Sequence, residues 1–192
     1  MSKGRLEAFS DGVIAVIITI MVLELQAPHG SALADLKPKI PIFLSYVLSF
    51  IFIGIYWNNH HHLLHAVNRV NGRVLWANLH LLFWLSLIPF ATDWMGLNQW
   101  ATVPVAVYGC LLFLAGAAYT ILAYELIALE GKESTLARAM GRDYKGKTSL
   151  FLYAAAVPLA FLDSRISMAI YVLVAFIWLI PDRRIEKVVA ER

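Results

Sequence analysis

Long apolar runs separated by short polar segments are the dominant pattern along the chain. A hydrocarbon core of about 30 Å requires ~20 apolar residues in helical form, so we interpret each run as a membrane-crossing helix. The predicted helices cover about 5–27, 40–66, 74–95, 103–129, 148–162 and 166–181. The last two are short, which local thinning of the bilayer or packing against longer helices can absorb. The pattern therefore predicts an all-α polytopic membrane protein, with a single six-helix domain over residues 1–192.

The composition agrees with this class. Of the 192 residues, 60% are hydrophobic and only 15% are charged, whereas an average soluble domain has roughly 45–50% apolar and about 25% charged residues. A chain of this size cannot bury so much apolar surface in one aqueous core. A soluble enzyme and a disordered protein are thereby excluded, and Cys110, the single cysteine, excludes a disulfide scaffold. The net charge of +3 is too small to indicate nucleic-acid binding, so membrane lipid is the expected environment.

The basic residues indicate how the chain is oriented. All but three of the 16 Lys and Arg residues lie at helix ends or in connections on one predicted side of the membrane. Only Lys37, Lys39 and Arg165 fall in connections on the other side. The positive-inside rule then places both termini in the cytoplasm, and an even number of crossings is required for that. We predict a multi-pass protein of the cell membrane.

A polar cluster is expected near the cytoplasmic ends of the first three helices. Asp11 lies two turns beyond Arg5, and a charged group at bilayer depth costs at least ~2.5–3.5 kcal/mol on insertion scales. The topology brings Ser10 and Asp11 to the same leaflet as the histidines of the second helix and Asn78 of the third. We therefore expect a hydrogen-bonded cluster of these two residues with a histidine and Asn78. It either only pins three helices together or also serves transport.

The second helix ends in four closely spaced histidines, His60, His61, His62 and His65. His61 and His65 are four residues apart on one helical face, a known spacing for zinc ligands. A transition-metal site needs a third ligand, and no acidic residue or cysteine lies nearby in the sequence. The histidines also lack a partnered nucleophile. We therefore predict no metal site, no cofactor and no enzymatic activity.

The first helix carries a stripe of small and medium-sized side chains. Its members recur at spacings of 3, 4 and 7 residues, which places them on one helical face: Gly12, Val16, Thr19, Ile20, Leu23 and Ala27. In an isolated chain this face would contact lipid or the core. In a symmetric oligomer it could instead line the central axis, where rings of aliphatic side chains form a constriction that gates by dewetting. Glu24 near the outer end could attract cations, or it is an ordinary interfacial residue.

Three short motifs resemble those of a known family. The first helix opens with R-x-x-x-F-S-D, the second ends with W-x-x-H, and the third contains an asparagine followed by a later proline. The residues are Arg5, Phe9, Ser10, Asp11, Trp57, His60, Asn78 and Pro89. This combination resembles the transmembrane protein 175 family of lysosomal-type potassium channels and their six-helix prokaryotic relatives.

The resemblance implies a homotetramer of six-helix subunits without a pore loop, and no T-V-G-Y-G filter is present in the sequence. It also implies that the first helix lines the pore, with Val16, Thr19, Ile20 and Leu23 as the pore-lining residues. The narrowest ring of the family corresponds to Val16, which is smaller than the residue usual there, so Ile20 or Leu23 could take that role. The motif residues other than Pro89 would form the inter-helix polar network: Arg5, Phe9, Ser10, Asp11, Trp57, His60 and Asn78.

Two functions follow as hypotheses. The first is a potassium-preferring cation channel, with potassium as the permeant ion, further copies of the chain as partners and passive flux through the pore. The alternative is a proton-coupled transporter that uses Asp11 and the histidine cluster as relays, since histidine titrates near physiological pH. Against the alternative, the two halves of the chain show no inverted repeat.

Overall fold

The computed structural model describes residues 2–131, 133–141 and 143–179. Within these ranges the protein is all-helical, which confirms the predicted class. The α-helices are α1 (Lys3–Leu23), α2 (Ile40–His65), α3 (Gly72–Ser86), α4 (Ile88–Leu97), α5 (Thr102–Glu130), α6 (Thr135–Met140), α7 (Tyr144–Leu159) and α8 (Ser164–Leu179). A 3-10 helix, Leu33–Lys39, leads directly into α2.

Four helical segments are long and apolar enough to cross a membrane. They are Lys3–Leu23, Leu33–His65, Gly72–Leu97 and Thr102–Glu130, and the apolar helix α8 is shorter. These segments correspond to the first four predicted helices, while α7 and α8 occupy the positions of the last two. Residues 180 and 181, at the end of the sixth predicted helix, lie outside the described ranges. Six crossings in all stay a prediction.

The first helix is shorter than predicted. It ends at Leu23, and the backbone N–H of Gln26 then donates to the carbonyl of Glu24 in a turn. Pro28 disfavours helical geometry at the residue before it, and two polar side chains occupy the last predicted turn. The prediction that this helix extends to residue 27 is therefore wrong by about one turn, and Ala27 lies beyond the helix.

The third predicted helix is broken into two. α3 ends at Ser86 and α4 begins at Ile88, with Leu87 between them. Pro89 is the cause, because it has no N–H to donate to a carbonyl one turn earlier and its ring crowds that turn. The break leaves one continuous apolar segment, since α3 and α4 together form the span Gly72–Leu97.

α5 lies at the centre of the bundle, where it packs against α3, α4, α7 and α8. Its inward face is made of fully buried side chains, among them Tyr108, Leu112, Ala115 and Leu122. Small residues such as alanine let neighbouring backbones approach closely, which is how helices associate in lipid. α1, in contrast, packs chiefly on α2, α3 and α4 and buries a single face.

Polar contacts at the helix ends fix the connections. At the end that carries the predicted cytoplasmic loops, Asn68 donates its backbone N–H to Glu130 Oε1 at 3.0 Å. There Arg69 Nη2 also donates to the carbonyl of Leu129 at 3.3 Å. At the opposite end, Asp163 Oδ1 accepts from the N–H of Arg165 at 2.8 Å and begins α8. The loop between α2 and α3 is thus tied to the end of α5, so these ends share one side of the bundle.

Candidate functional site: the outward face of the first helix

One face of α1 is open in the single chain. Its aliphatic members are well exposed, with fractions of 55% for Val16, 43% for Ile20 and 77% for Leu23. On the opposite face Ile14 and Ile17 are buried against the bundle. The stripe read from the sequence therefore points away from the subunit, and with it the four predicted pore-lining residues.

The same outward face contains small residues. Gly12 and Ala15 are exposed, and a Cβ built on Gly12 meets no atom within 4 Å. Small residues on a membrane helix are typical of helix–helix interfaces. The exposed side chains of α3 differ, since Trp76 and Phe83 are large and apolar as expected beside lipid. The outward face of α1 thus has room beside Gly12 and Ala15 for another helix to approach.

Thr19 is the polar member of the stripe. Its hydroxyl is exposed and donates to the carbonyl of Val16 at 2.8 Å, one turn back. The proton is thereby directed towards the helix backbone, so the oxygen lone pairs are left on the outward side. The oxygen of a hydroxyl held in this way can coordinate a cation or accept a hydrogen bond from a water molecule.

Behind this face, a buried chain of hydrogen bonds joins α1, α3 and α2. Asn78 Nδ2 donates to Ser10 Oγ at 2.9 Å, and Asn78 Oδ1 lies 2.7 Å from His60 Nε2. Ser10 Oγ donates in turn to the carbonyl of Leu6 at 2.9 Å. All three polar side chains are almost completely buried. The structure therefore brings together Ser10, His60 and Asn78, which we call the polar triad.

Asp11 does not join the polar triad, contrary to the cluster expected from the sequence. Because successive residues of a helix differ in direction by about 100°, Ser10 faces the bundle while Asp11 is exposed. Its Oδ1 accepts instead from Trp57 Nε1 at 3.0 Å. The Trp57 ring stacks on His61, and His61 on His65, with centroid distances of 6.2 and 6.0 Å. The F-S-D motif thus makes two separate contacts, one buried and one exposed.

Two further motif residues lie near the start of α1. Arg5 and Phe9 are on its exposed side, and Phe9 is 48% exposed. Lys3 forms an ion pair with Glu7 at 3.8 Å, one turn further along the helix. This ion pair stays within α1. The outward position of Arg5 and Phe9 leaves them available to whatever packs against α1.

A metal centre finds no support in the described part of the chain, where no group of three or more His, Cys, Asp and Glu side chains could hold a metal ion. The ring of His61 lies against those of Trp57, His62 and His65. The ring contacts fit an aromatic stack better than a ligand set.

A second buried polar cluster was missed from the sequence. Ser49 Oγ lies 2.7 Å from Thr92 Oγ1 and 2.9 Å from Tyr108 Oη, which joins α2, α4 and α5. Thr92 also donates to the carbonyl of Ile88 at 2.7 Å. The available signal was the presence of hydroxyl side chains in each of three apolar runs, but each run holds more than one, and the sequence alone does not say which of them face each other.

Comparison with known proteins identifies the family. Residues 5–89 match the model of the endosomal/lysosomal potassium channel TMEM175. A potassium channel from Chryseobacterium sp. (strain P1-3) is 55% identical over 191 residues and is covered, like this chain, over 100% of its length. A potassium channel from Streptomyces collinus is 33% identical over 65% of this chain and 64% of its own. The endosomal/lysosomal proton channel TMEM175 of Gallus gallus is 33% identical over 47% of this chain and 21% of its own length.

A solved structure has the same fold. The crystal structure of a lysosomal potassium-selective channel TMEM175 homolog from Chamaesiphon minutus matches with a TM-score of 0.83 and 25% sequence identity. The match covers 94% of this chain and 97% of the other. The helical bundle and these relatives define a multi-pass membrane protein that is a cation channel. The chain belongs to the TMEM175 family.

Proposed function

We propose that four copies of the chain assemble around one axis and conduct potassium in preference to other cations through a pore lined by α1. The observation that carries this proposal is the outward face of α1, where Val16, Ile20 and Leu23 are exposed next to the small residues Gly12 and Ala15. In a single subunit α1 lies at the periphery, so one copy alone encloses no pore. Copies arranged with these faces inward would supply one.

Rings of Val16, Ile20 and Leu23 form the constriction in this arrangement. These positions are three or four residues apart, so on a helix with about 1.5 Å rise per residue the rings follow each other at intervals of about 4.5–6 Å. A narrow apolar passage gates by dewetting, because water and ions leave it when the gap closes slightly. Ions would cross partly dehydrated, with no coenzyme or bound metal required.

Thr19 lies between the aliphatic rings and provides oxygen to the passing ion. Because its proton is donated to the Val16 carbonyl, four such hydroxyl oxygens would face the axis as acceptors. Oxygen ligands replace part of the hydration shell of potassium. Selectivity over sodium would be modest, since there is one polar ring and no cage of carbonyls.

The polar triad holds α1 in its orientation. A rotation that moved Val16 away from the axis would break the buried bonds from Asn78 to Ser10 and His60. An unsatisfied buried polar group costs about 1–3 kcal/mol. The triad thus favours the face that we assign to the pore. The distribution of basic residues supports cytoplasmic termini by the positive-inside rule, and Glu24 would then lie near the outer mouth of the pore.

Potassium flux out of liposomes tests the proposal. Purified protein in vesicles loaded with potassium should conduct it passively, and the flux should persist after a protonophore has collapsed the proton gradient. Potassium flux that requires the proton gradient would contradict the channel and favour the proton-coupled transporter. The selectivity is the ratio of the potassium flux to the sodium flux, each driven by the same concentration gradient in the same vesicles.

Proton permeation is a second candidate, favoured by the names of the animal relatives, which are called proton channels. A pore that holds a file of water could pass protons as well as potassium. Vesicles with a pH-sensitive dye, a pH difference and no potassium gradient would show acidification only if protons cross. The result is separate from the potassium assay, so each permeant is tested independently.

A further inference from the structure

A long apolar groove runs between α2 and α8. It lies on a different side of α2 from the one that packs against α1. Its volume is about 430 Å³, and the side chains that line it include Val47 and Ile51 of α2 with Met168, Val172 and Phe176 of α8. Two residues with polar atoms, Trp100 and Arg165, also line it. Both are at the end where α8 begins and α5 follows α4, opposite the predicted cytoplasmic end.

The length of the groove matches one hydrocarbon chain. Its α8 wall extends from Arg165 to Leu179, a distance of about 21 Å at 1.5 Å per residue. Half of a bilayer core measures about 15 Å. A groove that starts at the level of the head groups is therefore long enough to reach the middle of the membrane, with an apolar lining along its α2 and α8 walls.

Arg165 gives the groove a charged end. The guanidinium is exposed, and among the described residues no carboxylate oxygen lies within 4.0 Å of it. The nearby Asp163 uses its Oδ1 to accept the backbone N–H of Arg165. Trp100 lies at the same level and donates to Ser45 Oγ at 3.0 Å, as expected for an aromatic residue at the membrane interface. An arginine at head-group depth fits a phosphate, which it can bind through two N–H donors.

The groove faces lipid in the assembly proposed above. α1 packs on α2, α3 and α4, whereas α8 packs on α2, α5 and α7, so α8 is on the far side of the subunit from the axis. This step rests on the proposed function. The charge and length of the groove do not depend on it.

We propose that the groove between α2 and α8 is a binding site for an anionic phospholipid of the non-cytoplasmic leaflet. One acyl chain lies along Val47, Ile51 and Val172, and the phosphate binds the Arg165 guanidinium. A zwitterionic lipid of the same chain length binds less tightly, because its head group carries no net negative charge to pair with Arg165.

Photo-crosslinking of the full-length protein tests the site. The protein is reconstituted in phosphatidylcholine vesicles that contain a trace of one photoreactive lipid. In one sample this lipid is phosphatidylglycerol and in the other it is phosphatidylcholine, and both carry the same diazirine-bearing acyl chain. After illumination, labelled peptides are identified by mass spectrometry. We expect phosphatidylglycerol to label α2 and α8 roughly fivefold more than phosphatidylcholine, the ratio that one basic residue near a membrane surface supports. Equal labelling by the two lipids would overturn the proposal.

Two variants separate the charge from the groove. Arg165→Gln should bring the ratio of the two lipids close to one, and Arg165→Lys should keep most of it. Lys37→Gln, at the same end but outside the groove, is the matched control and should leave the ratio unchanged. An unchanged preference in Arg165→Gln would show that Arg165 does not bind the phosphate.

Filling the groove provides a second measurement. Ala169 lies in its wall and Ala154 is an exposed alanine of α7 outside it. Ala169→Trp should remove the labels of both lipids from α2 and α8, while Ala154→Trp should not. If instead Val172→Cys forms disulfides between copies, a second chain covers the groove and the lipid site is wrong. Labelling requires no ion flux, so a failure of the pore proposal would be detected separately.

Discussion

Asn78 of α3 donates a hydrogen bond to Ser10 of α1 across 2.9 Å, in a position where both side chains are fully buried. The two residues are 68 positions apart in the chain. In lipid there is no water to replace a broken polar contact, so each member needs its partner within the protein. The bond fixes which face of α1 is turned towards the subunit, and therefore which face is left outside.

Replacing Asn78 by leucine should destabilise the fold. Asn78→Leu leaves the buried His60 Nε2 without its hydrogen-bond partner. The expected decrease in the free energy of unfolding is about 1–3 kcal/mol. For a chain of 150–250 residues this corresponds to about 2–4 °C in the unfolding midpoint per kcal/mol. The measurement is thermal unfolding of the purified protein in detergent.

The control for this variant is Asn98→Leu. Asn98 is exposed and its amide donates only within its own helix end, to the carbonyl of Trp94 at 2.8 Å. We expect a change within about 0.5 kcal/mol, as for surface substitutions in general. Equal destabilisation by the two variants would show that the polar triad contributes no more to stability than an exposed asparagine does.

Trp57→Phe tests the contact with Asp11. The variant keeps the aromatic ring that stacks on His61 but removes the Nε1–H that Asp11 accepts at 3.0 Å. One hydrogen bond is lost, with an expected cost of about 1 kcal/mol and a lower unfolding midpoint. Trp76→Phe is the matched control, since that side chain is 75% exposed on α3 and the substitution should leave the midpoint where it was. A silent Trp57→Phe would mean that the carboxylate is held by other groups.

Gly12→Leu tests whether copies pack on the outward face of α1. A Cβ at Gly12 meets nothing within 4 Å in the single chain, so the larger side chain should not disturb the subunit. In a close assembly it would separate neighbouring helices and reduce the fraction of tetramer. The measurement is the mass of the detergent-solubilised particle by light scattering.

Ala154→Leu serves as the control for assembly. Ala154 is exposed on α7, which packs on α5 and α8 rather than on α1. This variant should keep the mass of four subunits. A tetramer that forms normally with Gly12→Leu would place the subunit interface elsewhere.

The sequence predicted the main features of the fold because apolar runs of membrane helices are long and strongly marked. The starts of α2 and α5 were predicted within one residue. The break at Leu87 was missed, although Pro89 signalled it, because a proline can either kink a membrane helix or end it. The end of α1 was placed too late because Leu25 and Ala27 continue the apolar composition without being helical.

The candidate site was predictable only in part. Periodicity separated the outward Val16 from the inward Ile14, since faces of a helix follow from residue spacing alone. The sequence also suggested that Ser10 meets Asn78, because topology brings their helix ends to one leaflet. It did not reveal that Asp11 pairs with Trp57, because residue spacing within α1 does not say which side chain of α2 lies beside Asp11.

Cysteine substitution along α1 tests the central claim most directly. The experiment uses a Cys110→Ala background, since Cys110 is exposed, and measures potassium flux in liposomes before and after a charged thiol reagent. Cysteine at Val16, Ile20 or Leu23 should make the flux sensitive to the reagent. Cysteine at the buried Ile14 or the half-buried Ile18 should leave it unchanged. Equal sensitivity at all five positions, or block only at Ile14 and Ile18, would contradict a pore lined by the outward face of the first helix.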